Sequence, residues 1–131
     1  MEKTIKVSEH TYVVSCENPG GVTVYRWQGR RKKFDVGVSI DGGEPKVFPF
    51  YDSIANWPKE INDKTLKLAL LCFASDALSY ELSADFEDFF REYGYTQTAE
   101  AEKAYKACKL SWDFFHKYDV GLFELTEQLD A

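Results

Sequence analysis

Apolar and polar residues alternate along the first fifty positions of the chain and recur every three or four positions after that. Lys33 to Ile40, KFDVGVSI, puts Phe34, Val36, Val38 and Ile40 on one face and Lys33, Asp35, Gly37 and Ser39 on the other. That is the pattern of a strand with one face in a core. GVTVYRWQ (Gly21 to Gln28) is dense in β-branched and aromatic residues, and QGRRKK supplies Gly29 for a turn, so the two runs predict an antiparallel hairpin. TYVVSC (Thr11 to Cys16) precedes them, separated by Asn18, Pro19, Gly20 and Gly21. A fourth run, PKVFPF, follows Asp41, Gly42 and Gly43, and its Pro45 and Pro49 confine it to a sheet edge because they cannot donate to a ladder.

Beyond Tyr51 the period becomes helical. Thr65 to Leu82, TLKLALLCFASDALSYEL, is apolar on almost every side, which predicts a buried central helix starting near Lys64 and capped by Asn62 or Asp63. A linker or short helical turn around Ser53 to Ile61, with Trp57 and Pro58, leads into it. Ser83 is the expected cap of a short helix carrying Phe86, Phe89, Phe90 and Tyr93, stopped by Gly94. Thr98 is the expected cap of a longer one to about Lys117, with Ala101, Ala104, Tyr105, Cys108, Trp112, Phe115 and Tyr118 on one stripe. Glu102 with Lys106 and Asp113 with Lys117 are its expected ion pairs. Asp119 is the expected cap of a last helix bearing Leu122, Leu125 and Leu129.

Strands first and helices after, without alternation, predict an α+β fold: an N-terminal antiparallel β-meander of about four strands packed against a C-terminal bundle of about four helices. We expect a single domain over residues 1–131, β-rich over 1–50 and helical over 51–131. A sheet module beside a separate helical module is the alternative.

Composition agrees with a globular chain: 131 residues, 44% hydrophobic, 29% charged and 16% aromatic. The absence of a signal-like N-terminal run, and the presence of Lys67, Asp76 and Glu81 in the most apolar stretch, lead us to expect a cytoplasmic protein without a membrane span. Cys16, Cys72 and Cys108 are an odd number without CxxC spacing and read as reduced core thiols. The net charge of −6 is divided unevenly: residues 1–50 carry eight Lys/Arg against six acids, and residues 51–131 carry eight against sixteen.

No phosphate-cradling, zinc-binding or catalytic motif stands out, so we expect no enzyme, no metal and no cofactor. Gly20-Gly21 and Gly42-Gly43 are turn glycines, and His10 and His116 lack metal spacing. Two polar clusters remain. Asp76, Glu81, Asp85, Glu87, Asp88 and Glu92 are opposed only by Arg91. They are explained as a solvated helix face with helix-start electrostatics, as a docking surface for a basic partner, or as a carboxylate site for a divalent metal or acid–base chemistry. Arg30, Arg31, Lys32 and Lys33, flanked by Arg26, Trp27 and Phe34, are either a solubilising hairpin tip, a protein-contact loop or a nucleic-acid contact.

Ser75-Asp76-Ala77, Asp85 to Phe89, Gly94-Tyr95 and Ala101 to Cys108 together resemble a group of small uncharacterised proteins encoded by phages and integrated mobile elements, over about residues 70–109. Where members of that group place Asp after Gly-Tyr, this chain has Thr96. The resemblance implies a genomic setting and no catalytic residue. It leads us to expect a non-enzymatic protein-binding inhibitor that blocks a host defence or nucleic-acid-processing complex, as CRISPR inhibitors do. The acidic set or the basic hairpin would be its docking surface. The partner would be a host protein or protein–nucleic acid complex, and a homo-oligomer is compatible with the aromatic content. The rival expectation is a nucleic-acid-binding accessory protein using the basic hairpin.

Overall fold

The computed structural model describes residues 1–26, 29–52, 61–83, 85–92 and 99–131. In chain order these form β1 (Glu2–Val7), β2 (His10–Cys16), β3 (Val22–Arg26), β4 (Gly29–Ile40), β5 (Lys46–Asp52), α1 (Asp63–Leu82), α2 (Phe86–Glu92), α3 (Ala99–His116) and α4 (Leu122–Asp130). The fold is α+β, with a wholly antiparallel sheet followed by helices. The chain divides into two compact units, Met1–Leu70 and Leu71–Ala131, and the division falls inside α1.

The sheet of the first unit is organised on β4, whose twelve residues are long enough to hold three partners. β5 pairs with Lys32 to Val38, β2 with Val36 to Ile40 and β3 with Gly29 to Lys33. Because β5 overlaps both of the others, β2 and β3 must share the opposite edge of β4, end to end. They act as one long strand interrupted by Glu17 to Gly21, and with that interruption the sheet reads as a meander. The expected face is the observed one: Phe34, Val36, Val38 and Ile40 are fully buried, as are Tyr12, Val14 and Cys16 opposite them and Phe48 and Phe50 on β5. β5 pairs with β4 alone, the edge position that Pro45 and Pro49 require. The fifth strand, β1, was not expected. It pairs with β2 through a two-residue turn in which Ser8 has φ of 55°, and none of its residues is fully buried, so its apolar signal is weak.

At the interruption, five residues on one side face two, Phe34 and Asp35, on the other. The Asn18 side chain repairs the ladder there. Its Oδ1 accepts the Asp35 N–H at 2.8 Å and the Cys16 thiol at 3.4 Å, and its Nδ2 donates to the Lys33 carbonyl. Gly21 closes the bulge with φ of 71°, its N–H donating to the Asn18 carbonyl. At the far end of β4, Asp41 accepts from His10 Nδ1 at 2.6 Å and from the Thr11 N–H at 2.8 Å, tying the β1–β2 turn to the end of the strand. The Thr11 bond first, and His10 second, hold the Asp41 carboxyl below its usual range.

α1 begins where the sequence predicts. Asn62 Oδ1 accepts the Thr65 N–H at 3.0 Å, and Thr65 Oγ1 accepts the Asn62 N–H in return, a reciprocal cap that satisfies two groups the helix leaves open. The helix is not buried all round. Leu66, Ala69, Leu70, Phe73, Ala74 and Ala77 form the buried stripe, whereas Leu68 and Leu82 are exposed. Apolar composition on every side therefore overstated its enclosure.

In the second unit α1, α2 and α3 meet through aromatic rings. Tyr105 of α3 lies 5.4 Å from Tyr80, 5.4 Å from Phe86 and 5.3 Å from Phe89, and Tyr80 in turn lies 5.5 Å from Trp112. The aromatic side chains of α2 thus meet α3 at Tyr105, and Trp112 of α3 meets α1 at Tyr80. Three expected caps or pairs differ. α2 is capped by Asp85, whose Oδ1 accepts the Asp88 N–H at 2.8 Å, while the Ser83 hydroxyl donates back to the Ser79 carbonyl. Glu102 pairs with Lys106 as expected, but Asp113 pairs with Lys109 at 3.5 Å rather than with Lys117. α4 starts from Gly121, and Leu122, Leu125 and Leu129 are its buried stripe. The expected stop at Gly94, the cap at Thr98 and the linker over 53–60 lie outside the described residues, as does Trp27.

Asp119 closes α3 instead of opening α4. The Val120 N–H reaches the Phe115 carbonyl and the Asp119 N–H the His116 carbonyl, with Asp119 at φ of 54°, a left-handed helix stop that glycine ordinarily fills. Asp119→Gly is therefore expected to stabilise the protein by about 0.5–1 kcal/mol, read as a rise in the midpoint of thermal unfolding, with Asp119→Val lowering it.

Candidate functional site

The four cations expected at a turn belong to a strand. The register pairs Arg26 with Gly29, so Arg30, Arg31, Lys32 and Lys33 stand opposite Tyr25, Val24, Thr23 and Val22. Alternation along the strand places Arg30 and Lys32 on the face of Tyr25 and Thr23, and Arg31 and Lys33 on the face of Val24 and Val22. Among the described residues β5 reaches only as far as Lys32, and beyond that point β3 and β4 pair with each other, with Arg30 on one face and Arg31 on the other. Phe34, counted from the sequence as an aromatic flank of this group, is fully buried and offers no ring to a ligand. Among the described residues the exposed aromatic here is Tyr25, 80% open to solvent and directly opposite Arg30, whereas Val22, 55% open, lies on the other face. Tyr25 was legible as a strand residue only; that it stands clear of the core depends on where the sheet loses its third strand. Lys33 Nζ lies 3.7 Å from Asp35 and Arg31 donates to the Arg30 carbonyl, exposed interactions of small energetic weight.

The acidic residues lie in the second unit. Glu81 accepts the Trp112 indole N–H at 3.4 Å. Asp85 caps α2, and Glu87 lies 3.8 Å from Arg91 one turn on. Asp88 occupies the first turn of α2 and is half-buried, and Glu92 closes the same helix. Asp76 is exposed on α1, yet the surrounding protein strips enough water from its carboxylate to push the pKa up to about 6. A folded pKa above the unfolded value of 3.8 means that ionising Asp76 opposes folding. Its favourable contribution is complete at low pH and is lost as the pH rises from 3.8 through about 6. Asp76→Asn is expected to match the parent at pH 4 and to exceed it above pH 6.5 by roughly 1 kcal/mol or less, because its exposed surface screens the effect. Calorimetry of both proteins from pH 4 to 8 checks this.

The remaining reactive groups are built into the structure. Burial pushes the Cys16 thiol up, and burial with the nearby Asp76 charge pushes Cys108 up to about 12, the reverse of what activates a nucleophilic cysteine. All three cysteines are free thiols. His116 stacks on Trp112 at 4.3 Å with the rings 13° apart, and His10 is held by Asp41. Among the described residues no three His, Cys, Asp or Glu side chains gather where they could hold a metal ion, and no helix is long and apolar enough to cross a membrane.

The end of the β3–β4 ribbon thus sets the exposed Arg30 against the exposed Tyr25, with Arg31, Lys32 and Lys33 half-buried beside them, whereas Glu81, Asp85 and Glu87 brace, cap and pair helices. Compared with known proteins, the chain matches no family model, no curated protein and no solved structure.

Proposed function

We propose that this chain is a small non-enzymatic binding protein that docks through the β3–β4 ribbon and blocks a host defence or nucleic-acid-processing complex, in the manner of the CRISPR inhibitors of phages and mobile elements. The observation that carries the binding surface is the exposed Tyr25 directly opposite Arg30 with Lys32 on the same face, while Arg31, Lys33 and Val22 occupy the other face. Exposed aromatic and Arg side chains are the residue types that anchor protein interfaces. The target class rests on the resemblance of residues 70–109 to small phage and mobile-element proteins.

Affinity capture of the tagged protein from host lysate, with and without nuclease treatment, tests it. The expected result is a nuclease-resistant host protein near stoichiometric yield. Tyr25→Ala with Arg30→Ala is expected to lower its recovery roughly tenfold or more, as loss of a central anchor does. Capture that survives both changes, or that is matched by an unrelated acidic protein, removes the ribbon as the docking surface.

A second reading is favoured by the same geometry. A two-stranded ribbon fits the major groove of a duplex, and cations beside an exposed ring also suit single strands. It predicts nuclease-sensitive capture and direct binding whose logarithmic salt slope falls by about one for each of Arg30, Arg31, Lys32 and Lys33 changed to Ala. Fluorescence anisotropy with labelled DNA and RNA at two salt concentrations separates the two.

A further inference from the structure

α1 and α4 leave an open groove in the second unit, of about 290 Å³, lined by Leu71 and Ser75 from α1 and by Phe123, Thr126, Glu127 and Asp130 from α4. The four α4 residues fall at i, i+3, i+4 and i+7, a second stripe beside the Leu122, Leu125 and Leu129 stripe that the unit buries. Phe123 is 70% exposed, the largest apolar side chain of a nine-residue helix left in water. Leaving it there forgoes on the order of 1–2 kcal/mol of burial that covering the ring would recover. The Thr126 hydroxyl donates to the Phe123 carbonyl one turn back, so the charged groups of the groove are the two carboxylates. Glu127 and Asp130 are exposed and make no ion pair among the described residues.

We propose that this groove docks a short segment of another protein in which one apolar side chain is flanked by Lys or Arg. The apolar residue would cover Phe123 and Leu71, and the cations would meet Glu127 and Asp130, the arrangement by which an amphipathic segment lies in a helix-lined groove. Charge decides among the possible occupants. The unit carries five Lys/Arg against thirteen Asp/Glu, a net charge of −8. Nucleic acid and anionic lipid share its sign and are repelled. A second copy meeting the first face to face would set Glu127 and Asp130 against their own equivalents, a like-charge contact that disfavours the pairing. A cationic segment is attracted by the same field. The groove belongs to the second unit and the ribbon to the first, so the inference stands whether or not the ribbon is the docking surface.

The test is titration of the ¹⁵N-labelled full chain with a synthetic peptide alternating Leu and Lys, and with its Leu and Glu counterpart. Amide shifts are expected at Leu71, Ser75 and Phe123 to Asp130 with the Lys peptide only. Phe123→Ala and the pair Glu127→Lys with Asp130→Lys are each expected to weaken binding roughly tenfold or more, whereas Arg30→Ala leaves it unchanged. Phe123 is exposed, so its removal leaves the fold intact, which the unshifted remainder of the spectrum verifies. Shifts spread over the whole acidic surface, binding that survives Phe123→Ala, or an equal response to the Glu peptide overturns the proposal. A sedimentation mass that rises with protein concentration and reverts in Phe123→Ala overturns it in favour of a second copy.

Discussion

Gly21→Ala is expected to destabilise the sheet unit by about 2–4 kcal/mol. The residue has φ of 71°, where any Cβ costs roughly 1–2 kcal/mol. That Cβ would also sit 2.9 Å from Cε1 of Phe34, a ring fully buried in the core. A rigid ring cannot turn aside as the end of a flexible side chain could, so the overlap adds the roughly 1–3 kcal/mol typical of an overfilled core. Gly20, its neighbour, has open space around its Cβ position and no unusual φ, so Gly20→Ala is the control and is expected to be nearly neutral. Urea unfolding of the two variants checks the contrast. Equal stabilities would mean that the bulge between β2 and β3 can be rebuilt without Gly21.

Tyr105→Ala is expected to cost about 2–3 kcal/mol, below the roughly 3–5 kcal/mol for a fully buried aromatic because the ring is half-buried. Three rings lose a partner at once, one on α1 and two on α2. The seven residues of α2 are too few to hold a helix alone, and Phe86 and Phe89 both pack against Tyr105. The loss should therefore be local first. Amide exchange of Phe86 to Glu92 is expected to accelerate well before that of β4, and Tyr105→Phe, which keeps the ring, should stay within about 1 kcal/mol of the parent. Uniform acceleration across both units would show that they unfold together.

Much of the fold was legible in the chain because its cause is local. The strand face of Phe34, Val36, Val38 and Ile40 follows from a period of two. The cap at Asn62, the Glu102 and Lys106 pair and the Leu122, Leu125 and Leu129 stripe likewise depend on neighbours within one helical turn. The misreadings come from places where several local solutions compete. Ser83 and Asp85 could each cap α2, and the choice went to the carboxylate at the helix start, where the dipole favours negative charge. Asp119 could open α4 or close α3, and it does the latter, taking the left-handed conformation that lets its own N–H and that of Val120 satisfy the last carbonyls of α3.

The candidate surfaces were legible only as composition. Arg30 to Lys33 are conspicuous in the sequence, but their division between two faces, and the replacement of Phe34 by Tyr25 as their aromatic neighbour, follow from the register of β3 on β4. Phe123 falls off the buried stripe of α4, a sign available in the sequence, but its place in a groove required α1 beside it. The sequence by itself determined the order of the elements after β1, the face that β4 buries and the charge carried by each part, because side-chain periodicity and net charge are properties of the chain. Tertiary structure alone decided that β2 and β3 share one edge of β4, that Tyr105 is the ring on which three helices converge, and which apolar side chains remain in water. Those outcomes depend on pairings between residues far apart in sequence, whose free energies are set by geometry that no local pattern encodes.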